Sequence, residues 1–285
     1  MKPLSIGTIH TMTVTQTVDE GYMLQKGSGE ILLPLPETET PLKNGQLVDV
    51  FLFTNQKGKI EATMKHPRIV KGTFNWAEVI EVIKHLGVFV DIGITKDILV
   101  SKDDLPPLQH VWPTEGDQLY VTLGEDHRGR LLAIPATEED IYLEREFASE
   151  DLLHKTIRGR VYRASKEGTA IITDEGYRGF IHHTERKNEP RLGERVKGRV
   201  IGVKEDGTIN VSLRPLKQYS IDLDAEDILA HLEEHDGVIP FSDRSDPEDI
   251  RATFNISKSA FKRALGRLMK EGKVEQREGH TYLKK

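Results

Sequence analysis

KTIRGRVYRASKEGTAIITDEGYRGFIHHTERKNEPRLGERVKGRVIGVKEDGTINVSLRPL, residues Lys155 to Leu216, decides the fold. It breaks into five short runs with period-two alternation. Ile157, Gly159 and Val161 alternate with Arg158, Arg160 and Tyr162; Ala170 and Ile172 alternate with Ile171 and Thr173. Phe180 and His182 flank Ile181, Val196, Gly198 and Val200 alternate with Lys197 and Arg199, and Ile209, Val211 and Leu213 alternate with Asn210 and Ser212. Alternation of this kind marks strands with one buried face. Glu167-Gly168, Glu175-Gly176 and Asp206-Gly207 supply turns, and only the connection from Thr184 to Gly193 is long. Five strands with one long connection predict a small closed barrel of the oligonucleotide-binding type.

Charge points the same way. Residues 151–220 carry 15 Lys and Arg against 9 Asp and Glu, in a chain whose net charge is −6. Arg158 and Arg160 are expected to share a strand face with Tyr162, and Lys197 and Arg199 to share another. A basic strand face bearing a ring offers phosphate attraction and a stacking surface together.

The segment resembles an S1-type RNA-binding domain. RGRV, GFIHHTE, GERVKGRVIGV and INVSLRPL occur in order; Gly179, Phe180, Ile181 and His182 match the middle-strand motif, and Ser212, Leu213 and Arg214 the closing run. The aromatic usual on the second strand of that family is replaced by Ala170, so stacking would fall to Tyr162, Phe180 or His182.

The pattern repeats upstream. Residues 1–66 place strands at Ile6–Ile9, Gly21–Leu24, Glu30–Leu33, Val48–Phe53 and Lys59–Ala62. Residues 67–150 place them at Ile69–Phe74, Gly87–Ile92, Asp97–Val100, Asp117–Leu123 and Arg130–Ile134. In the second unit LGVFVDIG is similar to the second-strand word of S1 domains, with Phe89 as the matching stacking aromatic. That unit nevertheless carries 8 Lys and Arg against 16 Asp and Glu, a field that repels phosphate. ATEEDIYLEREFASEDLL is predicted to form a linking helix with Ile141, Leu143, Phe147 and Leu152 on its apolar side.

Residues 219–285 change character. Asp224 to His235 reads as a helix; Asp246-Pro247 opens a second and Ser257 a third, whose apolar stripe is Phe261, Ala264, Leu265, Leu268 and Met269. Lys258, Lys262, Arg263, Arg267 and Lys270 lie off that stripe, and Val274 to Leu283 reads as a hairpin turning at Glu278-Gly279. This is a winged helix-turn-helix order. The expected architecture is therefore mostly β: three tandem S1-like barrels (1–66, 67–150 and 151–218) and a small α/β winged helix (219–285).

With all four units placed, the chain resembles the conserved virulence factor B family, most specifically in NISKSAFKRALGRLMKEGKV, residues Asn255 to Val274. The resemblance implies an RNA-binding, post-transcriptional regulatory role in a bacterial cytoplasm, with single-stranded RNA such as mRNA as partner. Arg158, Arg160, Lys197, Arg199 and Arg214 are the expected phosphate contacts, extended by Lys258, Lys262, Arg263 and Arg267. Tyr162, Phe180, His182 and, in the second barrel, Phe89 are the expected rings. The competing reading is a transcription factor that puts its winged helix on duplex DNA and uses the barrels to dock protein.

Other classes find little support. With no cysteine there are no disulfides and no Cys-ligated metal, which fits a reducing cytoplasm. MKPLSIGTIHTMTV lacks the apolar core of a signal peptide, and no run of residues is apolar enough to span a membrane. The acid clusters Asp103-Asp104 and Glu138-Glu139-Asp140 read as solvated loop or linker. His182 and His183 are expected on opposite strand faces, and Trp76 and Trp112 as core or rim residues. No catalytic residues, metal or cofactor are expected.

Overall fold

The computed structural model describes residues 4–37, 40–55, 58–215 and 217–284. Lys57-Gly58 is expected from the sequence to supply the turn before the last strand of the first repeat, and Lys57 lies outside the described residues. The chain forms two compact units, Met1–Leu213 and Arg214–Lys285.

The first unit contains three barrel repeats. The first is built from β1 (Ile9–Val18), β2 (Gly21–Lys26), β3 (Gly29–Pro34), β4 (Leu47–Thr54) and β5 (Ile60–Thr63). The second comprises β6 (Asn75–Ile83), β7 (Gly87–Asp91), β8 (Ile98–Ser101), β9 (Gln118–Glu125) and β10 (Leu131–Pro135). The third comprises β11 (Thr156–Ala164), β12 (Gly168–Thr173), β13 (Arg178–His182), β14 (Arg195–Val203) and β15 (Ile209–Ser212). The first and third repeats are closed, in the order first, second, third, fifth, fourth strand; a parallel pairing of third and fifth strands completes each ring. In the second repeat the sheet runs β10-β9-β6-β7-β8, and β8 and β10 lie side by side without a backbone ladder.

Two expected strands are displaced. Ile6 precedes β1, and Ile69–Phe74 is not a strand; Ile69 is a fully buried plug and the strand starts at Asn75. The segment is apolar but lacks the sustained alternation that marks a half-buried strand. Residues Ile157, Val161, Ile171, Ile181, Val196, Val200, Ile209 and Val211 point inward as the alternation predicts.

Two devices recur in every repeat. The first strand carries a β-bulge against the second, between Val14 and Gln16, Val79 and Glu81, and Val161 and Arg163. A bulge sharpens the local twist, which helps a short strand take part in two sides of a small barrel. The second strand opens on Gly21, Gly87 or Gly168, where the third strand's backbone passes too close for a Cβ. At Gly168 an added Cβ would sit 2.4 Å from the Ile181 carbonyl oxygen and 2.5 Å from the Phe180 ring. Gly168→Ala is therefore expected to cost about 1–3 kcal/mol through forced overpacking, read as a lower denaturation midpoint at unchanged slope.

The repeats do not have fully separate cores. Residues from Met12 to Ala62 form one buried cluster, whereas Ile6, Phe51 and Phe53 belong to a second that runs through the other two barrels. Between the second and third repeats the Gln118 N–H donates to the Gly193 carbonyl (3.2 Å) and the Leu192 N–H to that of Val111 (2.9 Å). Arg191 pairs with Asp117 at 3.2 Å.

The linking helix, α1 (Glu138–Glu144), is shorter than expected. Thr137 caps it in a reciprocal box with Asp140. Ile141 is buried, but Leu143 and Phe147 are exposed, so the loose apolar spacing did not correspond to one packed face.

The second unit contains α2 (Lys217–Glu234), β16 (Val238–Ile239), α3 (Pro247–Phe254), α4 (Lys258–Lys270), β17 (Val274–Arg277) and β18 (His280–Leu283). Asp246 caps α3 by accepting from the Glu248 N–H at 2.8 Å, and Asn255 ends it in the left-handed region. Glu278 and Gly279 both have positive φ, as a two-residue hairpin requires. The short β16, missed in the sequence, joins the wing in the order β16-β18-β17. Ile228, Leu232, Ile250, Phe261, Leu265 and Leu268 form the core.

Candidate nucleic-acid interface

The outer face of β11 and β14 is a ladder of cations. Arg160 lies directly opposite Arg195, Arg158 opposite Lys197, and Thr156 opposite Arg199. Same-face residues on a strand are two apart, so a polyanion along these rows would meet positive charge about every 6.6 Å. Four of the expected contacts, Arg158, Arg160, Lys197 and Arg199, are thus brought together. Arg195 was missed because the sequence reading started the strand at Val196.

The electrostatics are unfavourable in isolation. Like charges directly opposite each other in a sheet destabilise it. Arg195 pairs with Asp174 at 2.5 Å, while Arg158, Arg160, Lys197 and Arg199 make no ion pair among the described residues. Partial burial, and then the charge of Arg195, hold the Arg160 guanidinium below its ordinary value.

At the end of the ladder Arg160 lies over the Trp76 ring of the second repeat, 5.6 Å from its centroid. Trp76 pairs across β6 and β9 with Tyr120, their rings 5.0 Å apart, and Phe74 stacks on Tyr120 at 5.8 Å. Trp76 is half-buried, on a strand that starts at Asn75 and not at Ile69 as expected. Trp112 is buried as expected, its indole N–H donating to the Pro106 carbonyl at 2.6 Å.

The remaining expected rings lie elsewhere. Tyr162 does not share the open face of Arg158 and Arg160, which corrects the reading from alternation. It sits at the bulge, which takes it out of register, and packs beneath α1 against Ile141 and Ala170 at 6% exposure. Its hydroxyl accepts from the Arg178 Nε at 3.0 Å. Glu138 bridges the same junction to Arg178 (2.9 Å) and Arg163 (3.1 Å). Burial opposes ionisation of Glu138, but these guanidinium contacts hold its carboxyl below the ordinary range.

Phe180 is half-buried on the outer face of β12 and β13, over Gly168. His182 is exposed at the end of β13, and its Nδ1 accepts from the Thr184 N–H. The expectation that His182 and His183 point apart fails: the strand ends at His182, the chain enters a tight turn, and the rings lie 4.1 Å apart. Phe89 is half-buried on β7, opposite Glu81 and Leu99, in acidic surroundings. Arg214 is exposed and opens the second compact unit.

On α4 the basic face is partly neutralised. Lys262 lies 4.0 Å from Asp243, Arg267 pairs with Asp222 and with Glu271 (2.8 Å), and the Lys258 ammonium donates to the Arg244 carbonyl at 3.4 Å. Arg263 and Lys270 are exposed and make no ion pair among the described residues. Glu271 is the C-cap of α4 itself, but Asp222 and Asp243 come from other elements, so the stripe on α4 alone could not reveal them.

Among the described residues one cluster could hold a metal ion, which the sequence reading did not anticipate. His231, Glu234 and His235, one turn apart on the end of α2, bring their ligand atoms within 4.8 Å. The His235 Nδ1 lies 2.8 Å from the His231 carbonyl, an arrangement that leaves its Nε2 lone pair outward. The acid clusters serve local structure: Glu138, Glu139 and Asp140 form the first turn of α1, and Ser101 caps the turn holding Asp103 and Asp104. No helix among the described residues is long and apolar enough to cross a membrane.

Comparison with known proteins agrees with this architecture. An S1 domain model matches residues 6–65, and models described as "CvfB first S1-like domain", "Virulence regulatory factor CvfB, second domain" and "CvfB-like winged helix domain" match 74–134, 144–215 and 226–283. The chain is 48% identical to the uncharacterized protein YitL of Bacillus subtilis, over 96% of this chain and 92% of that protein. It is 36% identical to conserved virulence factor B of Staphylococcus saprophyticus, over 93% and 90%. It also resembles a crystal structure of a multidomain protein with nucleic acid binding domains from Streptococcus pneumoniae, with TM-score 0.65, 38% identity and 98% of each chain covered. Repeat order, winged helix and near-full-length similarity together make this chain a member of the conserved virulence factor B family.

Proposed function

We propose that the chain binds single-stranded RNA along the β11/β14 face of its third barrel and acts as a post-transcriptional regulator in a bacterial cytoplasm. The observation that carries this reading is the pair of directly opposed cation rows, Arg160/Arg195 and Arg158/Lys197, of which only Arg195 has an ion-pair partner, Asp174, among the described residues. Such rows cost folding energy and are relieved by a polyanion. The barrel class favours unpaired strands over duplex, because it offers a strand face rather than a helix to a groove.

Phe180 and His182 form a separate contact on the β12/β13 side of the same barrel. Phe89 lies in the acidic second barrel and makes at most a weak contact. In the winged helix, Arg263 is the open phosphate contact on α4, with Lys258, Lys262 and Arg267 competing for it against their own partners. Arg214 adds a contact at the start of that unit.

The test is a competition at equal salt between an unstructured RNA oligonucleotide and duplex DNA of equal length, using the full chain. RNA is expected to displace duplex. Duplex displacing RNA would sink the proposal and favour a winged helix seated in a major groove.

A further inference from the structure

The bulge that recurs in all three barrels fixes a common register, and one cross-strand position can be followed through it. Three residues before the first bulge-flanking partner lie Thr11, Trp76 and Arg158, facing Asp49, Tyr120 and Lys197 on the fourth strand. In the first barrel the position is closed on itself, the Thr11 hydroxyl donating to Asp49 at 2.6 Å. In the third it is a cation pair. In the second it is a pair of rings, extended by Phe74.

The second and third versions adjoin. Arg160 leaves the cation ladder and covers the Trp76 indole, so charge and ring form one continuous strip. Main-chain bonding from Gln118 to Gly193 and the Arg191–Asp117 pair hold the two barrels together two residues along β9 from Tyr120. Tyr120 is anchored from behind by its hydroxyl, which donates to Glu144 at 2.8 Å. Trp76 has no such anchor: its indole N–H has no partner among the described residues, unlike that of Trp112. One row further, Glu78 faces Gln118, so the positive track ends where the ring begins.

We propose that Trp76 is a base-stacking site at the end of the phosphate track. A single-stranded nucleic acid whose phosphates follow Arg199, Lys197, Arg158 and Arg160 draws the Arg160 guanidinium off the Trp76 ring and places an unpaired base on the face so cleared, with Tyr120 and Phe74 as the platform beside it. A ring offers the same face to every base, so the contact is tolerant of sequence and excludes paired bases. The site rests on the proposed RNA-binding reading and extends it from the third barrel onto the otherwise acidic second.

The test uses the full chain and a fluorescein-labelled 12-nucleotide oligouridylate. Trp76→Ala is expected to weaken binding about tenfold or more with an unchanged salt dependence, because no cation is lost. Trp76→Phe is expected to recover most of that loss. In a Trp112→Phe background the remaining indole, Trp76, is expected to be quenched on saturation with unlabelled oligouridylate. Full affinity in Trp76→Ala, or unchanged Trp76 emission at saturation, would overturn the site. If the wild type does not bind the oligouridylate, or if a variant with Arg158, Lys197 and Arg199 replaced by glutamine binds it as tightly as the wild type, the broader reading fails; if that variant loses affinity and only the Trp76 variants behave as wild type, the stacking site alone fails.

Discussion

Replacing Arg158, Lys197 and Arg199 together by glutamine is expected to lower affinity for single-stranded RNA about 10²-fold near 0.1 M salt. Each is an outward cation without an ion-pair partner among the described residues, and charge-assisted contacts contribute about 1.5–3 kcal/mol before screening. The slope of log affinity against log salt should fall by about 2, since each phosphate contact on a single strand contributes roughly 0.7. Folding stability should move the other way. Removing the opposed Arg158/Lys197 charges relieves about 0.2–1 kcal/mol of repulsion, so the denaturation midpoint should hold or rise. Affinity and midpoint falling together would indicate a structural ladder instead; salt titrations of binding with parallel denaturation curves separate the two.

The largest stability effect is expected from Phe261→Ala. Phe261 is fully buried at the centre of the winged helix, 5.2 Å from the Phe254 ring and 6.4 Å from that of Phe241. Its truncation should cost about 3–5 kcal/mol, a large fraction of the roughly 5–15 kcal/mol that stabilises a typical domain. Because residues from Arg214 onward form their own compact unit, the loss should be confined there. Hydrogen exchange on the full-length variant should show protection collapsing in α2, α3, α4 and the wing while β1–β15 keep theirs. Uniform loss across both units would contradict independent cores, and undiminished protection would contradict the burial argument.

Much of the fold was legible because period-two alternation and glycine turns are local signals. Val196, Gly198 and Val200 could be assigned inward, and Lys197 outward, without knowing what lay beside them. What alternation could not show was a break in its own phase. Tyr162 sits at a bulge, so counting by twos put it on the open face when α1 covers it. The ladder was half visible for a related reason. Same-face residues on one strand follow from spacing, but the pairing of Arg160 with Arg195 depends on register across the barrel. Trp76 and Tyr120 meet only through such register, and the first strand of their barrel was read too early, on Ile69 and Val70. On α4 the opposite happened: a charged stripe was plain, but Asp222 and Asp243, which draw off part of it, come from elsewhere in the unit.

The main-chain bonding between Gln118 and Gly193 has a metrical consequence. Two binding modules on a loose tether adapt their separation to whatever they hold; two modules sewn together cannot. The span from Arg199 at the far end of the ladder to the Trp76 indole is therefore a property of the protein, like the setting of a caliper. Oligonucleotides too short to cover that span would forfeit one end of the grip abruptly, and lengthening them beyond it would add little.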